Sequence, residues 1–155
     1  MDPTLFRQML GRFATGVTVL TVQASDGRPH GMTASTLTSV SLEPPLVLVC
    51  VDHSARMHPL ITGARQFVVN VLAADQEELS RRFADPHDDR FDGVRYRTTP
   101  TGLVHLDGAL AHIEVRREAL HEAGDHTIVL GRVVGGDARE GQPLMYFRGG
   151  YAALR

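Results

Sequence analysis

Residues 31–42 read GMTASTLTSVSL, a stretch without a charged residue that carries six hydroxyl side chains. The apolar run LVLVCV, residues 46–51, follows directly after Pro44 and Pro45. Short hydroxyl side chains and backbone N–H groups can line a neutral polar ring system or a phosphate without adding a competing charge. Threonine is also common in half-exposed strands, so this stretch by itself is compatible with a plain strand as well as with a ligand cradle.

The composition indicates an ordinary globular protein. With 155 residues the chain can bury a sizeable core, and one domain over residues 1–155 is expected. The formal net charge of -2, from 16 basic and 18 acidic side chains, argues against a nucleic-acid-binding module. Cys50 is the single cysteine, which excludes an intrachain disulfide and suggests a small buried apolar residue. The sequence shows neither a signal-peptide pattern nor an apolar stretch near the ~20 residues of a membrane span, so a cytoplasmic protein is expected.

Capping signals and helical spacing predict three short helices. The first begins at Pro3 after a cap at Asp2, and Gly16 is expected to end it. Ser54 is expected to cap the second helix, and a capping-box pattern that begins at Asp75 is expected to start the third.

The remaining apolar segments predict a fold built from strands. Asp26-Gly27 is a hairpin signal between the first two strands, and residues 85–93, DPHDDRFDG, indicate a surface loop. Because strands do not alternate regularly with helices, a parallel doubly wound sheet is disfavoured and a closed or partly closed antiparallel barrel is favoured. The predicted strands cover residues 17–22, 28–37, 47–51, 67–72, 109–120, 127–134 and 144–147, and residues 150–153 are expected to form a tail.

Common catalytic and phosphate-binding motifs do not occur in the sequence. GxGxxG, GxxxxGK[ST] and GxSxG are all missing. The eight histidines form no HExxH, and the spacing of His53 and His58 is poor for one helix face, so hydrogen-bonding histidines are expected rather than a metal site. Asn70, inside FVVNVL, is either a residue on the polar face of a strand or an amide that faces a ligand. Gly124-Asp125-His126 is either a simple hairpin turn or the rim of a barrel, where His126 could stack on a ligand or donate to it.

Seven blocks follow one another along the chain: MLGRFATGVTVLTV, MTAST with SVSLEPPLV, SARMHPLI, FVVNVLA, GALAHIEV, GDHTIVLGRV and PLMYFRGGY. Together and in this order they resemble the short-chain flavin reductases of two-component monooxygenase systems, and the resemblance covers nearly the whole chain. It implies a mainly β fold, an antiparallel split β-barrel of the Greek-key, FMN-binding type with a few short helices, that works as a homodimer. It also implies reduction of FMN or FAD by NADH or NADPH and delivery of the reduced flavin to a separate flavin-dependent monooxygenase.

The resemblance further implies which residues meet the cofactors. The isoalloxazine ring would lie along Met32, Thr33, Ala34 and Ser35, and its wall would continue through Ser39, Ser41 and Leu42. The ribityl chain or phosphate would lie near Asp52, Ser54 and Arg56, with Asn70 close to the flavin and Arg82 and Phe83 at its far end. His126, with Tyr151, would face the nicotinamide, and His126 is expected to position that ring rather than serve as an obligatory acid.

The chain departs from the family pattern at Asp52, where an asparagine is frequent, and at Thr36-Leu37, where Ser and Phe are frequent. Because a carboxylate repels a phosphate, a ribityl hydroxyl is the alternative partner of Asp52. Two other classes remain open, a non-catalytic flavin- or haem-binding split-barrel protein and a pyridoxamine-phosphate oxidase-like enzyme. The GDH turn followed by TIVLGRV favours the reductase over both.

Overall fold

The computed structural model describes residues 1–87 and 89–154. Within those ranges the helices are α1 (Pro3–Leu10), α2 (His58–Gly63) and α3 (Glu77–Ala84). The strands are β1 (Thr15–Gly16), β2 (Thr18–Gln23), β3 (Pro29–Ala34), β4 (Thr38–Ser41), β5 (Leu46–Asp52), β6 (Gln66–Val71), β7 (Tyr96–Thr98), β8 (Val104–Leu106), β9 (Ala111–Ala123), β10 (His126–Ala138), β11 (Met145–Phe147) and β12 (Gly150–Ala152).

Helix α1 begins as the capping signal predicts. The carboxylate of Asp2 accepts hydrogen bonds from the backbone N–H groups of Thr4 and Leu5 at 3.2 and 3.1 Å, with Pro3 in the first turn. The helix ends earlier than expected, because Gly11 is its C-cap and Gly16 already belongs to strand β1. None of its residues is buried, so α1 presents its apolar side to solvent in the single chain.

The other two predicted caps are wrong. Helix α2 begins after Met57 and α3 after Gln76, and neither of these positions makes a side-chain capping hydrogen bond. Ser54 instead donates to Asp52, as described below. None of the described helices is long and apolar enough to cross a membrane.

Seven strands form one antiparallel sheet in the order β3-β2-β6-β9-β10-β5-β4. Strands β2 and β3 are joined through the Asp26-Gly27 turn, where Gly27 has a φ of 82°. A three-stranded sheet, β1-β11-β12, and the β7-β8 hairpin complete the described strands. The mainly β, antiparallel prediction is confirmed, whereas β1, β4, β7, β8 and β12 are strands that the sequence patterns did not predict.

The large sheet curls but is not closed by a ladder between its two edge strands, β3 and β4, among the described residues. Strand β3 ends at Ala34 and β4 begins at Thr38, so the Cα atoms of these residues lie at most about 15 Å apart. The curl follows from this short connection, because the two edges of a seven-stranded sheet meet there. The gap between the two edge strands is called the seam below. It is bordered by residues 34–38 and by the C-terminal part of β5, which these residues face.

The first hydrophobic core lies inside the curl. Leu20 on β2 and Val49 on β5 belong to the same cluster although three strands, β6, β9 and β10, lie between β2 and β5 in the sheet. Met57 and Ile61 bring α2 against the same cluster. Burial of these branched side chains stabilises the curl, at about 25 cal/mol per Å² of apolar surface removed from water.

The second core lies on the other side of β2, where α3 packs against β3. Val19, Leu72, Phe83 and Leu106 are fully buried there. A Cβ atom on Gly31 would lie 2.8 Å from a ring carbon of Phe83, so this position of β3 accepts only a glycine without displacement of the ring.

A row of buried polar side chains attaches the β7-β8 hairpin to the sheet. Thr21 donates to the carbonyl of Val104 at 2.6 Å, and the two backbone groups of Leu106 bond to Asn70 (2.9 Å) and His112 (2.8 Å). The row crosses the adjacent strands β2, β6 and β9, so the hairpin is held by side chains rather than by a ladder.

Candidate functional site

The seam is held open by the side chain of Thr36. The ladder between β4 and β5 pairs Thr38 with Leu48. Because the strands are antiparallel, Thr36, two residues before Thr38, lies beside Cys50, two residues after Leu48. Its hydroxyl accepts from the Cys50 N–H at 3.0 Å and donates to the Cys50 carbonyl at 3.1 Å. A side chain therefore replaces the backbone partner, which separates the main chain of residues 35–37 from β5 by more than a ladder spacing of about 4.8 Å.

The predicted ring-binding wall is divided between the two faces of β3. Met32 and Ala34 pack against the first core, at the inner border of the seam. Thr33 points the other way and donates to the carbonyl of Ser80 on α3 at 2.6 Å. Ser35 follows at the exposed end of this strand. Strand alternation thus leaves Met32 and Ala34 at the seam and uses the Thr33 hydroxyl to fasten β3 to α3, while Ser35 lies beyond the end of the strand.

The next predicted wall residues lie on the edge strand β4. Ser39 pairs with Val47 and Ser41 with Leu46, with an irregularity in register between them. Leu42 lies just beyond the strand and is 92% exposed. In the single chain Ser39 and Leu42 are exposed and Ser41 is half-buried, on the part of β4 that continues from the seam along β5.

Strand β5 ends in a tight turn centred on Asp52. One oxygen of its carboxylate accepts from both the N–H and the hydroxyl of Ser54, each at 2.7 Å. These two hydrogen bonds hold the pKa of the Asp52 carboxyl below its ordinary value. The hydroxyl proton of Ser54 is therefore directed to Asp52, which leaves the oxygen of Ser54 as an acceptor toward other groups.

Arg56 lies on the same segment and lines a groove of about 560 Å³ between α2 and the start of β3. Arg28, His30 and Arg90 line it as well, together with the acidic Asp89, so cationic and imidazole groups outnumber acidic ones among the described lining residues. The guanidinium of Arg56 is exposed and donates to the carbonyl of Pro86 at 3.3 Å.

The Gly124-Asp125-His126 turn lies against the end of β5. His126 is the direct partner of Asp52 in the β5-β10 ladder, and the His53 N–H donates to the Asp125 carbonyl at 3.0 Å. The His126 Nδ1 is 2.7 Å from the Asp125 carboxylate, and this hydrogen bond lowers the pKa of Asp125. A carboxylate only accepts, so Nδ1 carries a proton and Nε2 is directed away from the turn. The His126 side chain is 38% exposed and open to a ligand.

Arg82, Phe83 and Tyr151 form a second group around α3. The Tyr151 hydroxyl is 2.7 Å from the Ser80 hydroxyl, and the Arg81 guanidinium lies 4.8 Å from the centre of the Tyr151 ring. Phe83 is fully buried, and Arg82 donates to the carbonyl of Asp92. Ser80 joins this group to Thr33. His126 contacts a different set of residues, so within one chain Tyr151 and His126 share no partner among the described contacts.

Asn70 lies apart from both groups. It is fully buried, its amide nitrogen donates to the Val19 carbonyl and the Thr21 hydroxyl at 2.9 Å each, and its oxygen accepts from the Leu106 N–H. Its amide nitrogen bonds to β2 and its oxygen to β8, so these hydrogen-bonding groups are all used within the protein, and the structure favours the buried strand residue over the ligand-facing amide.

His105, His112 and Asp137 bring possible metal-ligand atoms within 4.8 Å of one another. The four ring nitrogens already bond to protein groups, namely Arg97, Glu114, Asp137 and the Leu106 carbonyl. The Arg97 guanidinium is 3.0 Å from both His105 and Asp137, at the place where a cation would bridge them. Burial and the neighbouring His112 and Arg97 lower the pKa of His105. The cluster is a hydrogen-bonded network distinct from the seam.

Sequence reasoning missed Thr36 and the residues that hold the GDH turn, His53, His58, Glu122 and Thr127. Thr36 could have been found, because it belongs to the hydroxyl-rich stretch. Counting outward from the Gly124-Asp125 turn would also have placed Glu122 opposite Thr127, as the ladder has it. The pairing of either residue with His53 and His58 has no sequence signal, since those histidines come from another part of the chain.

A family model described as "Flavin reductase like domain" matches residues 10–155 of the chain. The chain is 40% identical over 155 residues to "Flavin-dependent monooxygenase, reductase subunit HsaB" of Rhodococcus jostii, which covers 99% of this chain and 79% of that protein. It is 46% identical over 157 residues to "NADH-dependent FAD reductase" of Streptomyces globisporus, covering 96% and 84% of the two chains. A "Probable flavin reductase" of Rhizobium meliloti is 43% identical, and this chain spans 50% of its length.

Solved structures show the same similarity. The NADH:FAD oxidoreductase of Streptomyces globisporus, in complex with NAD and FAD fragments, superposes with a TM-score of 0.94 at 42% identity, over 99% of this chain and 93% of that one. An oxidoreductase of Sinorhizobium meliloti superposes with a TM-score of 0.95 at 42% identity, over 99% of this chain and 54% of that one.

Proposed function

This chain belongs to the flavin reductase-like family, and we propose that it reduces FMN or FAD by hydride transfer from NADH or NADPH and supplies the reduced flavin to a separate monooxygenase. The observation that supports this most directly is the pairing of His126 with Asp52 at the end of β5. This pairing puts an exposed imidazole beside the segment that follows β5. The chain thereby offers an uncharged, hydroxyl-lined slot and an aromatic donor next to it.

The seam fits a flavin ring in its chemistry. Met32 and Ala34 provide an apolar inner border, and the hydroxyls of Ser35, Ser39 and Ser41 provide a neutral polar one. We place the isoalloxazine along this slot, with Leu42 at its exposed end. A site of hydroxyls and backbone groups grips a ligand moderately, which suits a flavin that must leave again; an affinity of ~1 μM corresponds to ~8 kcal/mol.

The ribityl phosphate fits better near Arg56 than near Asp52. The Asp52 carboxylate is held ionised by Ser54 and would repel a phosphate, whereas a ribityl hydroxyl could donate to its second oxygen. Arg56 opens onto a groove lined by further cationic side chains, where a phosphate would be favoured. We assign the ribityl chain to Asp52 and Ser54 and the phosphate to Arg56.

The protein's part in the reaction is to align two rings. A bound flavin accepts the hydride that a reduced nicotinamide carries, so the redox chemistry is the cofactors' own. His126, held by Asp125 through Nδ1, presents its Nε2 edge and its ring face to the nicotinamide and limits the orientations of that ring. On this view His126 positions the nicotinamide and does not have to transfer a proton.

We infer that the working form is a homodimer. Val49 and Val51 point into the first core, so their neighbours Leu48 and Cys50 point outward, where they are only half-buried. The apolar side of α1 is also exposed, with Phe6 at 52%, and Phe13, which follows the helix, is 76% exposed. Apolar surfaces of this extent are typical of interfaces. A second copy that covers the outer face of β5 would lie next to the seam and could bring its own Tyr151 group toward it.

Light scattering on the purified protein tests the assembly. The expected mass is twice the 17.0 kDa of one chain. A single-chain mass at micromolar concentration would contradict the dimer and leave the reductase activity as a separate question.

We further propose that the curled sheet is a split barrel of the FMN-binding Greek-key type, forming one domain over residues 1–155. The short connection from Ala34 to Thr38 and the core shared by β2 and β5 support this architecture. The use of NADH or NADPH supports the cytoplasm as the working compartment.

The activity is tested by mixing the purified protein with NADH or NADPH and with FMN, FAD or no flavin. We expect loss of the reduced-nicotinamide absorbance only when a flavin is present, and faster loss when a flavin monooxygenase re-oxidises the product. Flavin binding without consumption of either nicotinamide would contradict the reductase and favour a non-catalytic binding protein.

A further inference from the structure

Resting on the proposed function, we propose that Thr127 is a positioning residue that joins the nicotinamide side of the site to the flavin side. Its hydroxyl lies between His58, at the start of α2, and Glu122, on the neighbouring strand β9. Thr127 itself follows His126 directly, so its side chain connects the strand that carries the imidazole to the segment that carries Ser54 and Arg56.

The directions of these hydrogen bonds follow from the chemistry of the partners. Thr127 has one hydroxyl proton, and the Glu122 carboxylate, 2.9 Å away, can only accept it. The hydroxyl therefore accepts from Nε2 of His58 at 2.8 Å, which assigns the Nε2–H tautomer to His58. The other Glu122 oxygen lies 2.8 Å from Nε2 of His53, which donates in the same sense. One hydroxyl and one carboxylate thus connect both histidines of segment 53–58 to the β9-β10 hairpin.

Burial makes Thr127 the centre of this network. Thr127 is 1% exposed, whereas the Glu122 side chain is 72% exposed. A buried hydroxyl that loses its partners is costly, so its two hydrogen bonds restrict the geometry far more than the exposed ion pair does. The rings of His53 and His58 also meet edge to face at 5.2 Å, so the two histidines respond together to a displacement of either.

The network acts where the two halves of the site meet. The His53 N–H bonds to the Asp125 carbonyl, and Asp52 pairs with His126. The Thr127 hydroxyl adds a side-chain connection one residue beyond this backbone contact. Its loss would let the 53–58 segment and the GDH turn shift against each other, and an offset of the two rings reduces productive alignment.

The test compares Thr127→Val with Thr127→Ser in the full chain. Valine keeps the shape and removes the hydroxyl, so we expect the KM values for both the nicotinamide and the flavin to rise about threefold to tenfold, with kcat changed less than twofold. Serine keeps the hydroxyl and is expected to restore both KM values. Thr62→Val is the matched control, because Thr62 is half-buried on α2 and donates only to the His58 carbonyl.

Two further measurements separate positioning from general loss of stability. The NMR signals of the His126 ring should shift in Thr127→Val and stay unchanged in Thr62→Val. Glu122→Ala, an exposed change that should not impair folding, is expected to raise the same two KM values by a smaller factor. Unchanged KM values in Thr127→Val, with wild-type turnover present, would overturn this proposal alone. A wild-type protein that consumes no reduced nicotinamide with either flavin would overturn the proposed function and this assignment together.

Discussion

The hydroxyl of Thr36 makes both of the hydrogen bonds that a neighbouring strand would make to the backbone of Cys50. The segment that leads into β4 therefore stays attached to β5 through this side chain, while its main chain lies further from β5 and closer to β3. This side chain belongs to the uncharged, hydroxyl-rich stretch of the sequence.

Replacing Thr36 with valine tests the role of that hydroxyl. The change leaves the half-buried N–H and carbonyl of Cys50 without their partner, which costs about 1–3 kcal/mol of unfolding free energy. We expect the flavin KM to rise more than the nicotinamide KM, because the seam borders the flavin. Thr36→Ser keeps the hydroxyl and is the control, with near-wild-type values in urea unfolding and steady-state kinetics. Equal flavin KM values for the valine and serine variants would contradict the assignment.

Replacing His126 with alanine tests its positioning role. The nicotinamide KM should rise about tenfold, corresponding to ~1.4 kcal/mol of lost binding, and kcat should fall by a smaller factor. His121→Ala, at an exposed position of the same hairpin, is the control and should leave both constants unchanged. A large loss of kcat at unchanged KM would instead make His126 essential for the chemical step.

Adding a methyl group at Gly31 tests the contact between β3 and α3. The new Cβ would lie 2.8 and 2.9 Å from two ring carbons of Phe83, and such overpacking costs about 1–3 kcal/mol. Gly63→Ala is the matched control, because no atom lies within 4 Å of a Cβ there and the residue ends a helix. Urea unfolding should show the loss in Gly31→Ala only, and equal stability of the two variants would disprove the tight contact.

The buried His105 predicts a pH dependence of stability. Its pKa is lowered by burial from an ordinary value of 6.5, so below that value the unfolded chain binds a proton that the folded chain does not. The free energy of unfolding should therefore fall as the pH is lowered from about 7 to 5, by up to about 1.4 kcal/mol per pH unit from this group.

His105→Gln should remove that part of the slope in urea titrations at several pH values. His87→Gln is the control, since the His87 side chain is 79% exposed and its removal should leave the slope unchanged. The same slope in wild type and His105→Gln would show that other groups cause the acid sensitivity.

Much of the local structure could be predicted because its causes lie within a few residues. Asp2 and Pro3 start α1, and the Asp26-Gly27 turn joins β2 to β3, as expected. The expected family is confirmed, since it rests on seven blocks in order along the whole chain. The caps at Ser54 and Asp75 were wrong because both helices begin later than expected, after Met57 and Gln76, and the Ser54 hydroxyl is directed to Asp52 instead.

The arrangement of the site was harder to predict than the local structure. The alternation of side chains along β3 could be predicted from the sequence. Which face meets the seam depends on the path of the sheet, and in the structure Thr33 faces α3 whereas Met32 faces the first core. Asn70 was an open question in the sequence and became a structural residue, because Leu106, 36 positions away, needs its carbonyl oxygen.

The sequence by itself determined the antiparallel β character, the turns, the uncharged hydroxyl stretch and the family, because these depend on residue type and spacing along the chain. Only the tertiary structure decided that Thr36 holds the seam open, that His126 lies opposite Asp52, and that Thr127 connects them to α2. Those relationships join residues from 14 to 74 positions apart, at the distances that the curl of the sheet imposes, and hydrogen bonds act only across such distances in space.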